Sequence, residues 1–178
     1  LTDSVGVEEN SVLFVDSSTL NYNISSHLKA ILPEDLIRYG KSPVILQKSI
    51  KVESEIENMR QAYVEDGVAM ERFLYWLETE VATGRTVSEW EASERLTAFR
   101  AEIPGYRGNS FENISAYGPS GALPHYSTPH EGSAVIRPRG LYLVDSGGQY
   151  LDGTTDITRT IWIGNPANIP AAVKRDYT

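Results

Sequence analysis

The chain has 178 residues, with 16 Lys and Arg against 24 Asp and Glu, and a formal net charge of −8. This acidic balance argues against nucleic acid as a partner, and no apolar run is long enough to span a membrane. Because the sequence contains no cysteine, disulfides, thiol nucleophiles and thiolate ligands are excluded, and any metal must have oxygen or imidazole ligands. Residues 1–10 show no signal-peptide pattern, which favours a cytoplasmic location.

The first predicted elements follow the order strand, helix, strand. Residues 11–16 (SVLFVD) form a short apolar run typical of a buried strand. Residues 17–19 are candidate N-caps for a helix that continues to about Leu32. Residues 43–47 (PVILQ) are interpreted as a second strand. A domain boundary is expected at residues 47–52.

Two helices are predicted next. Residues 51–80 carry apolar side chains at spacings of three and four, which gives one apolar stripe with charges opposite. Gly84 is expected to end this helix. Residues 86–89 (TVSE) offer a cap for a second helix that runs to about Arg100.

The last third of the chain is rich in turn residues and predicts strands rather than long helices. The alternating, β-branched pattern of its apolar segments favours β structure. A final segment, residues 166–177, is interpreted as a helix entry. The predicted strands are residues 112–117, 141–144 and 156–163.

A turn between two of these strands carries three aspartates, Asp145, Asp152 and Asp156. If the hairpin is centred between residues 150 and 151, Asp145 and Asp156 lie directly opposite each other, with Cβ atoms roughly 5 Å apart. Two ionised carboxylates so placed repel each other unless they share protons or hold cations. Such a pair suits two divalent ions about 3.5–4 Å apart.

Two alternatives to this interpretation remain open. An Asp152-Gly153 turn is chemically attractive and would slide the pairing so that Asp156 faces Gln149, although the side chains would keep the same face. Aspartate is also common in turns, where it caps backbone N–H groups, so spacing alone allows a structural role. Asp152 is interpreted as such a turn residue.

A loop histidine, His125, lies in residues 118–130 (GPSGALPHYSTPH). An imidazole there could bind a metal, move a proton or donate a hydrogen bond to a developing oxyanion, but it could also be an ordinary surface residue. His27 and His130 have no comparable neighbours in the sequence. The serine-hydrolase motif G-x-S-x-G is absent, which disfavours that chemistry.

At these residues the sequence resembles the Xaa-Pro aminopeptidases (aminopeptidase P), which are pita-bread metallopeptidases of family M24. Residues 145–150 (DSGGQY) and 152–160 (DGTTDITRT) are similar to the metal-binding hairpin of that family. Residues 114–126 resemble the substrate-side loop, and residues 51–60 (KVESEIENMR) resemble the first helix of the catalytic domain. The Gly-Thr-Thr-Asp segment at residues 153–156 most resembles that of the three-domain aminopeptidase P group.

The resemblance implies an α+β fold class. Residues 1–50 would be the C-terminal piece of an α/β creatinase-N-like domain. Residues 51–178 would be the first half of a pita-bread (creatinase/aminopeptidase-like) catalytic domain, and the chain would thus be a fragment.

The resemblance also implies a chemistry. Asp145 would chelate one metal, Asp156 would bridge two, and His125 would stand near the scissile peptide. The reaction would release the N-terminal residue from peptides with proline second, using a water activated by two metals. Mn(II) suits an oxygen and imidazole site, while Zn or Co would also fit.

One departure from the family pattern limits these expectations. The family completes its metal site with one histidine and two glutamates that follow the hairpin, and no residue here matches them. We therefore expect weak metal binding, no peptidase activity in the isolated chain, and either a homo-oligomer or pairing with the missing half of the domain. The alternatives are an inactive pita-bread module that binds peptides or proteins, and a prolidase-like dipeptidase.

Overall fold

The computed structural model describes residues 11–177. The chain divides into two compact units, Leu1–Lys51 and Val52–Thr178. The expectation that concerned residues 1–10 lies outside the described residues. Assignment of residues 1–50 and 51–178 to particular domains of a family stays a prediction. No helix within residues 11–177 is long and apolar enough to cross a membrane.

Within residues 11–51, the first unit contains a two-stranded parallel sheet and two helices. The elements are β1 (Leu13–Val15), α1 (Tyr22–Ile31), a 3-10 turn (Glu34–Leu36), β2 (Ile37–Tyr39) and α2 (Pro43–Ser49). Strands β1 and β2 pair with Leu13 opposite Ile37.

The prediction of a strand at residues 43–47 is wrong, because these residues begin α2. Pro43 stands at the start of this helix, where its fixed φ and missing N–H suit the first turn. A short apolar run does not separate a strand from a helix by periodicity. The cap of α1 also differs from the prediction, since Asn21 accepts a hydrogen bond from the amide of Ile24 at 3.0 Å.

The Asp16 carboxylate connects two loops of the first unit. Its Oδ1 accepts hydrogen bonds from the Ser18 hydroxyl (2.6 Å) and the Ser18 amide (2.9 Å), and its Oδ2 accepts one from the Ser42 amide at 2.7 Å. These bonds, that of the Ser18 hydroxyl above all, lower the pKa of Asp16 below its ordinary value.

We predict that this interaction stabilises the fold above the ordinary aspartate pKa and is lost as pH falls through the lowered pKa of Asp16. A ¹³C NMR titration of the Asp16 carboxyl should show a midpoint below that of an unfolded reference peptide. Ser18→Ala should move the midpoint upward. An ordinary midpoint in the parent chain would contradict the prediction.

The second unit begins with two long helices, α3 (Glu53–Ala82) and α4 (Glu89–Ala101). The Glu55 side chain accepts a hydrogen bond from the Val52 amide at 2.8 Å at the start of α3. Ser88 caps α4 by accepting one from the Glu91 amide at 3.1 Å. Both helices agree with the spacing of apolar residues in the sequence.

The strands of the second unit are β3 (Val87–Ser88), β4 (Tyr106–Asn109), β5 (Ile114–Tyr117), β6 (Val135–Ile136), β7 (Arg139–Ser146), β8 (Gly148–Tyr150) and β9 (Ile157–Gly164). They form one three-stranded antiparallel sheet, in the order β5-β7-β9, and two antiparallel two-stranded ribbons, β3-β6 and β4-β8. A 3-10 turn (Pro166–Asn168) and the short helix α5 (Ala171–Tyr177) follow the last strand.

The core of this unit lies between the two helices and one face of the sheet. Phe73 and Leu77 of α3 and Leu96 of α4 are fully buried together with Tyr142 and Val144 of β7. Alternation along β7 turns Leu141, Leu143 and Asp145 to the opposite face, where they are half-buried. The helices therefore fix the sheet from one side and leave the aspartate face accessible.

Candidate metal site

The hairpin between β7 and β9 has a register that differs from both sequence-based alternatives. Asp145 lies opposite Thr158, not opposite Asp156. The tip is closed by a bond from the Tyr150 amide to the Gly153 carbonyl at 2.8 Å, so its centre falls between residues 151 and 152. The predicted direct opposition of the two aspartates and the predicted Asp152-Gly153 turn are both wrong.

Tertiary contacts explain this register. The side chains of Tyr150 and Thr155, at the base of the tip, are both buried and both donate hydrogen bonds to Asp66 of α3. Shifting the strand register to either of the two sequence-based alternatives would move the Tyr150 and Thr155 hydroxyls away from Asp66. Buried hydrogen bonds thus outweigh the local preference for a particular turn.

Asp145 and Asp156 nevertheless project from the same face of the sheet. This was expected, because the registers considered differ from one another by an even number of residues, which leaves side-chain direction unchanged. Thr158 donates from Oγ1 to Asp145 Oδ1 at 2.8 Å. Burial alternates from buried Thr155 to exposed Asp156, buried Ile157 and exposed Thr158, which places Asp156 and Thr158 on one side. Diagonal neighbours in such a pair lie within about 7–8 Å, so both carboxylates can reach a shared ion or ion pair.

His125 and Asp145 line one cavity of about 220 Å³, together with Thr158 and the apolar side chains of Ile114 and Leu143. The structure thus brings together a histidine and an aspartate that are separated in sequence. Asp156 does not line this cavity and stands further along the same face.

His125 has a backbone φ of 55°, and no other non-glycine residue within residues 11–177 has a positive φ. This conformation is uncommon for a residue with a Cβ and persists where the surroundings impose it. The next residue supplies one such constraint, because the Tyr126 hydroxyl donates to Glu89 Oε2 at 2.8 Å. Thr128 supplies another through its hydroxyl, which contacts the amide and carbonyl of Ser115 at 3.0 and 3.1 Å.

Glu89 was missed by sequence reasoning, which treated it as part of a helix cap. It is fully buried, and its Oε1 also accepts a hydrogen bond from the Tyr117 amide at 2.6 Å. Nothing in a Thr-Val-Ser-Glu segment distinguishes a surface cap from a buried acceptor for a distant loop.

The other candidate site residues considered from the sequence do not line this cavity. Asp152 is exposed at the hairpin tip, and His27 is exposed on α1. His130 packs edge-on against the ring of Trp90, with centroids 4.9 Å apart.

The carboxylates fit part of a site for divalent cations. Oδ1 of Asp145 accepts the hydrogen bond from Thr158, which leaves Oδ2 available as a ligand. Among residues 11–177, no side chain forms a hydrogen bond or ion pair with the Asp156 carboxylate. Carboxylate oxygens are suitable ligands for hard divalent ions. Within residues 11–177, however, no group of three His, Asp or Glu side chains is arranged to hold a metal.

A comparison with protein families decides the assignment: the model of metallopeptidase family M24 matches residues 57–178. The chain belongs to this family. Membership confirms the predicted fold class, since the mixed helices and strands of the second unit form part of the M24 pita-bread fold.

The chain is also similar to individual named proteins. The probable Xaa-Pro aminopeptidase P of Laccaria bicolor is 43% identical over 128 residues, which are 72% of this chain and 20% of the relative. The protein of the same description from Tuber melanosporum is 36% identical over 177 residues, which are 99% of this chain and 28% of the relative. The chain thus spans about a quarter of the length of these curated relatives.

Solved structures are also similar. The X-prolyl aminopeptidase from Caenorhabditis elegans, described as a cytosolic enzyme with a di-nuclear active site, has a TM-score of 0.80 at 35% identity. The match covers 90% of this chain and 25% of that one. The Xaa-Pro dipeptidase from Bacillus anthracis has a TM-score of 0.72 at 30% identity, covering 94% and 43%.

Proposed function

We propose that this chain contributes the metal-binding hairpin and a substrate-side loop to an aminopeptidase that releases the N-terminal residue from peptides with proline second. The observation that carries the proposal is the cavity shared by His125 and Asp145, on the sheet face that also bears Asp156. The names of the fungal relatives and of the Caenorhabditis elegans structure support the choice of substrate.

Asp145 and Asp156 are the proposed ligands of two divalent ions, with Mn(II) as the first choice and Zn or Co as alternatives. The di-nuclear site of the Caenorhabditis elegans enzyme supports a pair of ions. When bound, the ions would supply an activated water and polarise the scissile carbonyl. The Thr158 hydroxyl occupies Asp145 Oδ1 and thereby orients this carboxylate.

His125 is proposed to act on the substrate rather than on the metals. Hydrogen bonds of Tyr126 and Thr128 hold the loop that follows His125 against the body of the unit, and His125 lines the cavity. An imidazole placed there can donate a hydrogen bond to the oxyanion that forms on the attacked carbonyl. The apolar walls at Ile114 and Leu143 fit an aliphatic side chain or ring.

Two further expectations follow from the same proposal. The cytosolic relative supports a cytoplasmic location. The half-buried apolar face at Leu141 and Leu143 is expected to be covered, either by a second copy or by further chain of the family domain.

A dipeptidase of the prolidase type is the second candidate, and the similarity to the Bacillus anthracis enzyme favours it. A full-length protein that contains this chain, assayed with added Mn(II), should cleave Arg-Pro-Pro faster than Gly-Pro if the aminopeptidase proposal is correct. The reverse preference would favour the dipeptidase. Cleavage of neither peptide, without bound metal, would favour an inactive binding module.

We predict that the isolated chain binds Mn(II) with a Kd weaker than about 1 µM, because two carboxylates are a sparse ligand set. Asp156→Asn should weaken this binding at least about tenfold, since it removes the negative charge from one of the two ligands. Asp152→Asn, at the exposed tip of the same hairpin, is the matched control and should leave the affinity unchanged. Calorimetric titration that shows two sites tighter than 1 µM, or equal loss in both variants, would contradict the prediction.

A further inference from the structure

A buried carboxylate on α3 lies at the centre of a hydrogen-bond network behind the hairpin. Asp66 is fully buried and accepts hydrogen bonds from Arg100 Nε at 2.5 Å and Nη2 at 3.2 Å. It also accepts one from the Tyr150 hydroxyl at 2.9 Å and one from Thr155 Oγ1 at 2.6 Å. Four donors from α4 and from both sides of the hairpin tip therefore converge on one side chain.

Thr155, the residue directly before Asp156, has every polar group engaged. Its amide donates to the Gly148 carbonyl at 2.9 Å, and its carbonyl accepts from the Ser110 hydroxyl at 2.9 Å. Its hydroxyl donates to Asp66 and accepts from the Gly148 amide at 2.8 Å. These contacts fix the position and direction of the chain as it enters Asp156.

The same helix also reaches Asp156 itself. Tyr63 lies three residues before Asp66 and therefore on the same side of α3. Its hydroxyl accepts a hydrogen bond from the Asp156 amide at 3.3 Å. One turn of α3 thus holds Thr155 by its side chain and Asp156 by its backbone.

Stability alone is a poor explanation for this network. A buried ion pair contributes little more than well-packed apolar residues of similar size. Arg100 Nη1 is moreover buried without a hydrogen-bond partner, a cost that an apolar core would avoid. Burial and the neighbouring Asp66 carboxylate raise the pKa of Tyr150, so its hydroxyl, protonated at neutral pH in any case, remains a donor to Asp66 at alkaline pH as well.

We infer that Asp66, assisted by Tyr63, is a positioning residue that aims the Asp156 carboxylate by fixing the backbone of residues 155 and 156. This inference rests on the proposed function, in which Asp156 is a metal ligand. Ligands must be held within about 0.5 Å of their working position, and loss of a group that orients a ligand typically weakens metal binding about 10- to 100-fold.

The first test measures position without metal. Thr155→Val replaces the hydroxyl with a methyl group and so removes its hydrogen bonds. We expect amide hydrogen exchange at Asp156 and Ile157, followed by NMR in the metal-free chain, to accelerate at least about tenfold. Thr128→Val is the matched control, because it removes another buried threonine hydroxyl that bonds a backbone amide. It should leave exchange at Asp156 unchanged. Unchanged exchange in Thr155→Val, or equal acceleration in both variants, would overturn the inference.

The second test measures Mn(II) affinity from the EPR signal of the free ion. Thr155→Val should weaken binding about tenfold, Thr155→Ser, which retains the hydroxyl, should restore it, and Thr128→Val should not change it. Tyr63→Phe alters a partly exposed side chain, so folding is not in question, and should accelerate exchange at Asp156 while weakening Mn(II) binding. If Tyr63→Phe altered neither the amide exchange at Asp156 nor the Mn(II) affinity, the inference would be overturned.

The two proposals fail in different ways. If Asp145→Asn and Asp156→Asn bind Mn(II) as the parent does, while Thr155→Val still accelerates exchange at Asp156, the metal assignment is wrong and the positioning of residue 156 stands. If the aspartate variants lose Mn(II) but Thr155→Val changes neither exchange nor affinity, the metal site stands and the role of Asp66 is overturned.

Discussion

Replacing Asp66 with alanine is expected to lower the free energy of unfolding of this chain by about 3–5 kcal/mol. The change would leave the fully buried Arg100 guanidinium without its counter-charge. It would also leave the Tyr150 and Thr155 hydroxyls without their acceptor. Urea denaturation followed by far-UV circular dichroism measures the loss as a shift in the transition midpoint.

Two controls distinguish the loss of this buried ion pair from the loss of an ordinary exposed one. Glu102→Ala removes an exposed pair with Arg72, whose atoms lie 2.7 Å apart, and should cost no more than about 1 kcal/mol. Combining Asp66→Ala with Arg100→Met removes both buried charges, so the double variant should be more stable than Asp66→Ala alone. Equal costs for Asp66→Ala and Glu102→Ala, or additive losses in the double variant, would contradict the expectation.

At the hairpin, sequence reasoning correctly placed the two aspartates on one face of the sheet, because that conclusion does not require the exact register. All registers under consideration, and the observed one, place Asp145 and Asp156 on the same side of the sheet, because a two-residue slide preserves side-chain direction. The residues of the candidate site were therefore accessible from strand pattern and motif. The exact partner of Asp145 was not, since buried contacts of the hairpin with α3 determine it.

The features that sequence reasoning missed share one cause. Asp66 and Glu89 are acidic residues on helices, where a charge is normally assigned to the solvent side. Each is buried because a distant segment provides its donors, the hairpin for Asp66 and the His125 loop for Glu89. Such pairings are long-range, and neither helical periodicity nor capping rules report them.

The hairpin also contains a glycine for which we expect a large effect. Gly147 joins β7 to β8, and a Cβ at this position would lie closer than 3.0 Å to the Thr155 carbonyl oxygen and to the Ser110 hydroxyl. The hydroxyl can rotate away, but the carbonyl belongs to the backbone that leads into Asp156. Gly147→Ala should therefore destabilise the chain by about 3 kcal/mol or more, because the two strands must separate to admit the methyl group.

Gly153 in the same hairpin is the matched comparison. A Cβ there would meet Ala62 Cβ and Met59 Cα at 3.5 Å, which is ordinary van der Waals contact. Gly153→Ala should be within about 1 kcal/mol of the parent, and can be stabilising because alanine has less freedom in the unfolded chain. If denaturant unfolding showed equal effects for the two variants, the close approach of Gly147 to the Thr155 carbonyl would not be what constrains the hairpin.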